Sequence, residues 1–295
     1  MSGTTSTTTS TQTQNSNITP TWDAKASLFG LGIITQNIID MDFAINFDLT
    51  FNNTFNFAPN VLPKSPRKMR YFCYGIGGKK NTSDNLTEAY RVSGLDGAPF
   101  KIIPARIVPF EEDLSLDEMA LYAGRVVTTR KVGGVTQAYV YYYLKALDKK
   151  ATQISFVRND SATKSMVPYE PTVDCMTPTP LNSDNNGTIV DLADTISTSA
   201  PVGLTINGSD VIEVINVLYG GDMRYANISE IGIIGADTQQ MTAQDAQNKS
   251  FRYQEAIAAQ MVTHSTTAGT TIIGPEQKIT KNINMGLQNI NIIIS

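Results

Sequence analysis

The chain has 295 residues, of which 17% are charged, and its 23 Lys and Arg against 27 Asp and Glu give a formal net charge of −4. A weakly acidic chain has no overall positive field to attract nucleic acid or anionic lipid. Its low charge content is balanced by Thr, Ser, Asn and Gln, which suits surfaces that neighbouring copies cover.

The cysteines and the terminal sequence indicate where the protein is made. Cys73 and Cys175 lie in no CxxC or Cys/His cluster and are predicted to be buried thiols. The N-terminal sequence lacks the pattern of a secretory signal, and no apolar run reaches the ~18 residues that a membrane span requires. We therefore expect a soluble protein made in the cytoplasm.

Residues 1–20 are a low-complexity segment of mostly Thr, Ser, Gln and Asn without charge. Such a segment buries too little apolar surface to fold alone, so we predict an extended polar arm, followed by a β-rich domain over residues 21–295. The arm and the isoleucine-rich C-terminal end are expected to contact partners. The predicted partner-binding residues are Thr4, Thr8, Gln12, Asn15, Ile18, Trp22, Ile290, Ile292 and Ile294.

The strongest periodic signal lies in residues 41–57, MDFAINFDLTFNNTFNF, in which the large apolar residues occupy odd positions. Alternation of this length predicts a long amphipathic strand, or two strands broken near Asn52-Asn53. The phenylalanines are expected to form part of the core. The following Pro-rich link carries Lys64, Arg67, Lys68 and Arg70 and is interpreted as a solvated loop.

Two helices and one hairpin have clear local signals. Ser115 and Glu118 match a capping box, after which Met119, Tyr122 and Ala123 would share a helical face. The segment VTTRKVGGVTQAYVYYYLKAL predicts two strands joined at Gly133-Gly134. A second helix is predicted from Ser209 to a stop at Gly220-Gly221.

The C-terminal third reads as sheet. FRYQEAIAAQMV favours a strand over a helix, and SEIGIIGAD, TTIIGPEQKI and NINMGLQNINIIIS are interpreted as short strands. The tail over residues 283–294 is expected to pair with a sheet edge of this or another subunit. Residues 160–190 predict a long surface excursion, with Asn186-Gly187 as a turn. The predicted fold class is mainly β, with a sandwich or barrel-like core, about two short helices, an extended arm and long loops.

The chain offers little equipment for catalysis. Its single histidine, His264, has no HxxxH or HxH partner, and no GxSxG motif presents a serine. CYGIGGKKN fails both phosphate-binding patterns, because Lys80 stands at the hydroxyl position of GxxxxGK[ST] and at the third glycine of GxGxxG; a glycine-bent strand or turn is expected instead. Asp113 is expected to favour a helix N-terminus. We predict a non-enzyme with no catalytic residue, no metal site and no cofactor.

Four segments together carry a family resemblance: RYFCYGIGGKKN, APFKIIPARIVPFEEDLSLDEMALYAGRVV, YVYYYLKAL and LYGGDMRYANISEIGIIGAD. They resemble virion structural proteins of tailed bacteriophages, of the neck, tail or baseplate type, over residues 65–265. The resemblance implies a mainly β subunit that assembles in rings and extends its arms onto neighbours. The Thr-rich start departs from this pattern.

The resemblance implies a structural component located in the virion, with copies of itself and other virion proteins as partners and with no membrane, sequence-specific nucleic acid or small-molecule substrate. Alternatives are a capsid decoration protein and a receptor- or carbohydrate-binding β protein of the virion surface. The latter requires exposed aromatics such as Tyr141 or Tyr143. A hydrolase that uses acidic residues such as Glu112 is a third alternative.

Overall fold

The computed structural model describes residues 40–41, 45–81, 83, 86–148, 155–160, 163–168, 173, 177 and 197–288. The polar arm, Trp22, Cys175, the Asn186-Gly187 turn and the isoleucines at 290, 292 and 294 lie outside these ranges. Within them, the described strands are β1 Asp40–Met41, β2 Arg67–Gly75, β3 Lys79–Asn81, β4 Thr87–Ala89, β5 Ile102–Ile103, β6 Arg106–Pro109, β7 Tyr122–Val132, β8 Val135–Ala146, β9 Ser155–Asp160, β10 Thr163–Pro168, β11 Ser197–Asn207, β12 Asn227–Gln244, β13 Ser250–Thr271 and β14 Lys278–Gln288. The described helices are α1 Phe51–Phe55, α2 Leu116–Met119 and α3 Gly208–Tyr219, with 3-10 turns at Phe47–Leu49, Phe110–Glu112 and Met223–Tyr225. The expectation of a mainly β protein with short helices is confirmed.

The main sheet is antiparallel and has the order β13-β12-β2-β8-β6, with β1 and β5 also paired to β2 and β7 paired to β8. β13, at one end of this order, meets β7 through the Glu255 carboxylate, which accepts hydrogen bonds from the backbone N–H groups of Gly124 (2.6 Å) and Arg125 (2.9 Å) on β7. The Arg125 guanidinium also lies over the rings of Phe251 and Tyr253 on β13. We name this contact between β7 and β13 the seam. The sheet is therefore strongly curved.

Two apolar clusters fill the molecule. The larger packs one face of the sheet against α3, through Val211, Val214 and Ile215, and against Leu204 and Ile206 of β11. The smaller draws mostly small residues from the sheet and the aromatic rings of Phe51 and Phe57 from the α1 region. Its members are Phe51, Phe57, Tyr71, Cys73, Ala123, Leu144, Ile234, Ala236, Ala256 and Ala259. Small side chains allow the curved strands to approach closely.

The strand prediction over residues 41–57 is wrong for most of its length. Phe47–Leu49 and Phe51–Phe55 are helical, because Asn46 and Thr50 cap their N-termini and Asn56 ends α1 in the left-handed region at φ 58°. The Asn46 and Thr50 side chains accept hydrogen bonds from nearby backbone N–H groups. Such local hydrogen bonds favour helix termini over the inter-strand hydrogen bonds of a sheet. Burial departs from the alternation too, since Asn52 is buried and Leu49 is 66% exposed.

The remaining helix and hairpin predictions hold where they depend on local signals. The Ser115–Glu118 capping box is present, and α3 ends at Gly220 in the left-handed conformation. β7 and β8 join at Gly133-Gly134, both at positive φ. Tyr122 and Ala123, however, begin β7 rather than continuing a helix, since α2 ends at Met119.

Strand lengths and the basic link also correct the sequence interpretation. β12 and β13 pair over 18 and 22 residues, far longer than the short strands expected there. Arg67 is not in a solvated loop: it begins β2, is 2% exposed and donates to the Gln260 side chain. β14 pairs with β11 of the same chain, while residues 289–295 lie outside the described part.

Candidate interaction surface

The glycine segment after β2 surrounds a buried carboxylate. Glu230 on β12 is fully buried, and its Oε1 accepts hydrogen bonds from the N–H groups of Gly77 (2.9 Å) and Lys101 (2.7 Å), while Oε2 accepts one from Phe100 N–H (2.7 Å). A Cβ atom on Gly75 would come within 2.4 Å of Glu230 Oε1. The predicted glycine bend is confirmed, and charged hydrogen bonds offset the cost of burying Glu230.

The single histidine connects this carboxylate to a second one. His264 Nε2 lies 3.3 Å from Glu230 Oε2, and Nδ1 lies 3.4 Å from Asp96 Oδ2, with the His264 side chain 3% exposed. Asp96 also accepts a hydrogen bond from Ser93 N–H at 2.7 Å. Sequence reasoning missed these neighbours because Asp96 and Glu230 are far from His264 in the chain. The three side chains fix the loop that contains Asp96.

This loop presents apolar side chains to solvent. We use the name loop surface for the large apolar residues of residues 86–100 that are exposed, namely Leu86, Tyr90, Val92, Leu95 and Phe100. Leu95 is 95% exposed and Leu86 is 64% exposed. The rings of Tyr90 and Phe100 lie 5.3 Å apart, and Phe100 also packs against the His264 ring at 5.2 Å. Exposed apolar groups concentrated in this way are typical of protein interaction sites.

A second aromatic pair lies beside the end of this loop. The rings of Tyr219 and Tyr225 stack at 4.3 Å, and the Lys101 Nζ lies 5.2 and 5.3 Å from their centroids. Met223 and Tyr225 are partly exposed there. Because Lys101 directly follows Phe100, the cation–π contact further holds this end of the loop in place.

The other buried acids also serve as structural anchors. Asp210 at the start of α3 accepts hydrogen bonds from Arg106 (2.9 Å), Lys145 (3.0 Å) and the Tyr122 hydroxyl (3.1 Å). Asp113 pairs with Arg125 at 2.6 Å and accepts a hydrogen bond from the Tyr142 hydroxyl at 2.7 Å. The expected role of Asp113 at a helix N-terminus is therefore replaced by a buried ion pair.

Burial also controls the titration of two groups near the smaller cluster. It raises the pKa of the Cys73 thiol well above its ordinary value, and Cys73 is the buried thiol that the sequence predicts. Burial raises the pKa of Glu255 to about 7, although three backbone N–H groups oppose the shift. No group of three or more His, Cys, Asp or Glu side chains in the described ranges could hold a metal ion.

The described residues include the aromatic candidates of the sequence analysis but none of its predicted partner-binding residues. All nine predicted partner-binding residues lie outside the described ranges. Tyr141 is buried, and the Tyr143 ring stacks on Phe55 at 4.4 Å, so neither is the open platform that sugar binding needs.

The loop surface was not predicted from the sequence, because the alternation of polar and apolar residues there does not show which side chains the tertiary contacts leave uncovered. None of the helices in the described residues has the length and apolar character to cross a membrane.

The fold and the loop surface define a mainly antiparallel β protein with an anchored loop that exposes apolar side chains. The chain belongs to a family of unknown function, DUF7208, whose sequence pattern matches residues 10–291. No curated protein and no solved structure shows a significant match to it.

Proposed function

We propose that the protein is a non-enzymatic structural component of a tailed-phage particle. It forms or bridges rings in the neck, tail or baseplate through contacts with copies of itself and with other virion proteins. The segments that resemble phage virion proteins support the setting, and the loop surface supports the mode of action.

The loop surface has the composition and the rigidity of a protein interface. Its Tyr90 and Phe100 side chains are of the aromatic kind that dominates binding energy at interfaces. Glu230 holds the backbone at Phe100 and Lys101, and Gly78 O accepts a hydrogen bond from Tyr90 N–H at 2.8 Å. A loop fixed before binding loses little conformational entropy when a partner covers it, which favours affinity.

The test replaces two apolar side chains at the loop surface and measures assembly. We expect the double variant Leu86→Asp/Val92→Asp to reduce the amount of the protein in purified particles by about tenfold, because a desolvated charge is unfavourable in an interface. Quantitative mass spectrometry of the particles measures this amount. Circular dichroism melting checks that the variant folds.

Val135→Asp is the matched control, since Val135 is 66% exposed at the β7–β8 turn and does not belong to the loop surface. We expect this variant to be incorporated normally. Normal incorporation of the loop variant would show that the loop surface is not an assembly contact. Absence of the unaltered protein from particles would contradict the proposed function as a whole.

A further inference from the structure

An apolar groove lies between the α1 region and the loop that carries Leu95. Its volume is about 410 Å³, and its lining includes Leu49, Phe51, Phe55, Leu95, Ala98 and Met261. Phe51 is buried, whereas Leu49 and Leu95 are 66% and 95% exposed at its sides. Among the described residues of the lining, Asp48 alone is charged, so the groove suits an uncharged apolar occupant.

The chain itself contains such an occupant upstream of β1. Residues 28–34 read LFGLGII, which has five large apolar residues, no charge and two glycines that allow the backbone to approach a surface closely. Residues 1–20 are too polar for this groove. Between this apolar segment and Asp40 lie residues 35–39.

The strand register shows that residues 28–34 can reach the groove of their own chain. Asp40 lies opposite Lys68 on β2, and Lys68 lies opposite Ala236 on β12. The preceding residue of β12, Gly235, lies opposite Gln260 on β13, which lines the groove. Asp40 therefore lies three strand spacings from Gln260, a distance of about 14 Å. The six residue steps from residue 34 to residue 40 extend up to about 20 Å, which is long enough to reach the groove.

We propose that residues 28–34 dock into this groove within the same chain. Docking covers Leu49 and Leu95 and fixes the point at which the polar arm leaves the domain. A fixed origin confines the arm to the neighbours within its reach. This inference assigns Leu95 to a contact within the chain and leaves Leu86, Tyr90, Val92 and Phe100 of the loop surface for the partner contact of the proposed function.

The first test compares two double variants of the full-length protein by hydrogen exchange. In Leu31→Asp/Ile33→Asp, we expect the amides of residues 47–55 and 95–98 to exchange about tenfold faster, because the groove loses its cover. The matched control is Thr8→Asp/Gln12→Asp, which adds the same charge to the polar arm and leaves the exchange of those amides unchanged. Exchange in β2 and β12 reports whether each variant remains folded.

The second test traps the contact with near-native side chains. Ile33→Cys and Leu49→Cys are introduced together in a chain that also carries Cys175→Ser, and mild oxidation is followed by gel electrophoresis. We expect a disulfide within one chain whose yield does not change on dilution. Cross-links only between chains would overturn the proposal and assign the groove to a second copy. The proposal is equally overturned by an absence of cross-links or by unchanged exchange in the folded Leu31→Asp/Ile33→Asp protein.

Discussion

At the scale of single residues, Gly78 allows the backbone segment after β2 to lie directly on β12. A Cβ atom at Gly78 would come within 2.3 Å of the Ser229 carbonyl oxygen, which is backbone and has little freedom to move away. Gly78 N–H donates to the Ser229 hydroxyl at 3.0 Å. The backbone N–H of Tyr90, which follows β4, donates a hydrogen bond to the Gly78 carbonyl oxygen. Because glycine has no side chain, the backbone at Gly78 can approach β12 closely, and this approach positions the loop surface.

Gly78→Ala is predicted to lower the free energy of unfolding by about 1–3 kcal/mol, because the added methyl group overpacks the contact with β12. Urea denaturation measures this change. Gly94→Ala is the matched control, since a Cβ atom at Gly94 meets nothing within 4 Å, and its effect is expected to stay within about 0.5 kcal/mol. Equal stabilities for the two variants would contradict the close approach at Gly78.

At the scale of elements, α1 completes the hydrogen bonding of β13 where that strand is irregular. Ala258 has a positive φ of 50°, and the pairing of β12 with β13 shifts register nearby. The Asn52 side chain donates to Ala256 O at 2.8 Å and accepts from Ala259 N–H at 2.7 Å. A side chain from α1 thus takes the place of a neighbouring strand and protects the edge of β13.

Asn52→Ala is predicted to lower the free energy of unfolding by about 2–4 kcal/mol, because it leaves the buried backbone groups of Ala256 and Ala259 without partners. Chemical denaturation gives the value. Asn53→Ala serves as the control, since the Asn53 side chain hydrogen bonds to Asn60 at an exposed position, and its expected cost is at most about 1 kcal/mol. If both variants lose the same stability, α1 does not support β13 as described.

At the scale of the whole molecule, one carboxylate joins β13 to β7, two strands of the main sheet that are not paired in a ladder. Glu255 is fully buried at the seam and accepts N–H groups from Gly124, Arg125 and its own neighbour Ala256. Burial disfavours its charged form and raises its pKa from 4.5 to about 7. The protonation state of Glu255 is therefore coupled to the closing of the sheet.

The sign of this coupling follows from proton uptake. Between pH 4.5 and about 7 the folded protein holds a proton at Glu255 that the unfolded chain has released, so the free energy of unfolding falls as pH rises through this window. The contribution of Glu255 to the free energy of unfolding is complete below pH 4.5 and is lost by about pH 7. Its size is on the order of 1–3 kcal/mol.

Glu255→Gln provides the comparison, because its amide oxygen still accepts backbone N–H groups but does not titrate. Its stability is expected to depend less on pH between 5 and 7 than that of the unaltered protein, as urea midpoints at pH 5, 6, 7 and 8 would show. Parallel pH profiles for the two proteins would exclude Glu255 as the titrating group. The source of the effect is the burial of this carboxylate, which its three backbone donors only partly offset.

The sequence alone determined the features whose causes lie within a few residues. The Ser115–Glu118 capping box, the stop of α3 at Gly220 and the Gly133-Gly134 hairpin were all predicted, because caps and turns are set by local backbone and side-chain chemistry. The mainly β character followed in the same way from β-branched and aromatic runs. The buried state of Cys73 followed from its lack of any partner motif.

Only the tertiary structure decided which face of each segment is covered. Alternation over residues 41–57 did not reveal that Asn52 would replace a strand partner for β13, about 200 positions away in the chain. The contact of His264 with Asp96 and Glu230, the seam at Glu255 and the loop surface likewise depend on pairs that only the completed sheet brings together. The physical reason is that burial and hydrogen-bond satisfaction are properties of the whole packed chain, whereas residue patterns report only local preference.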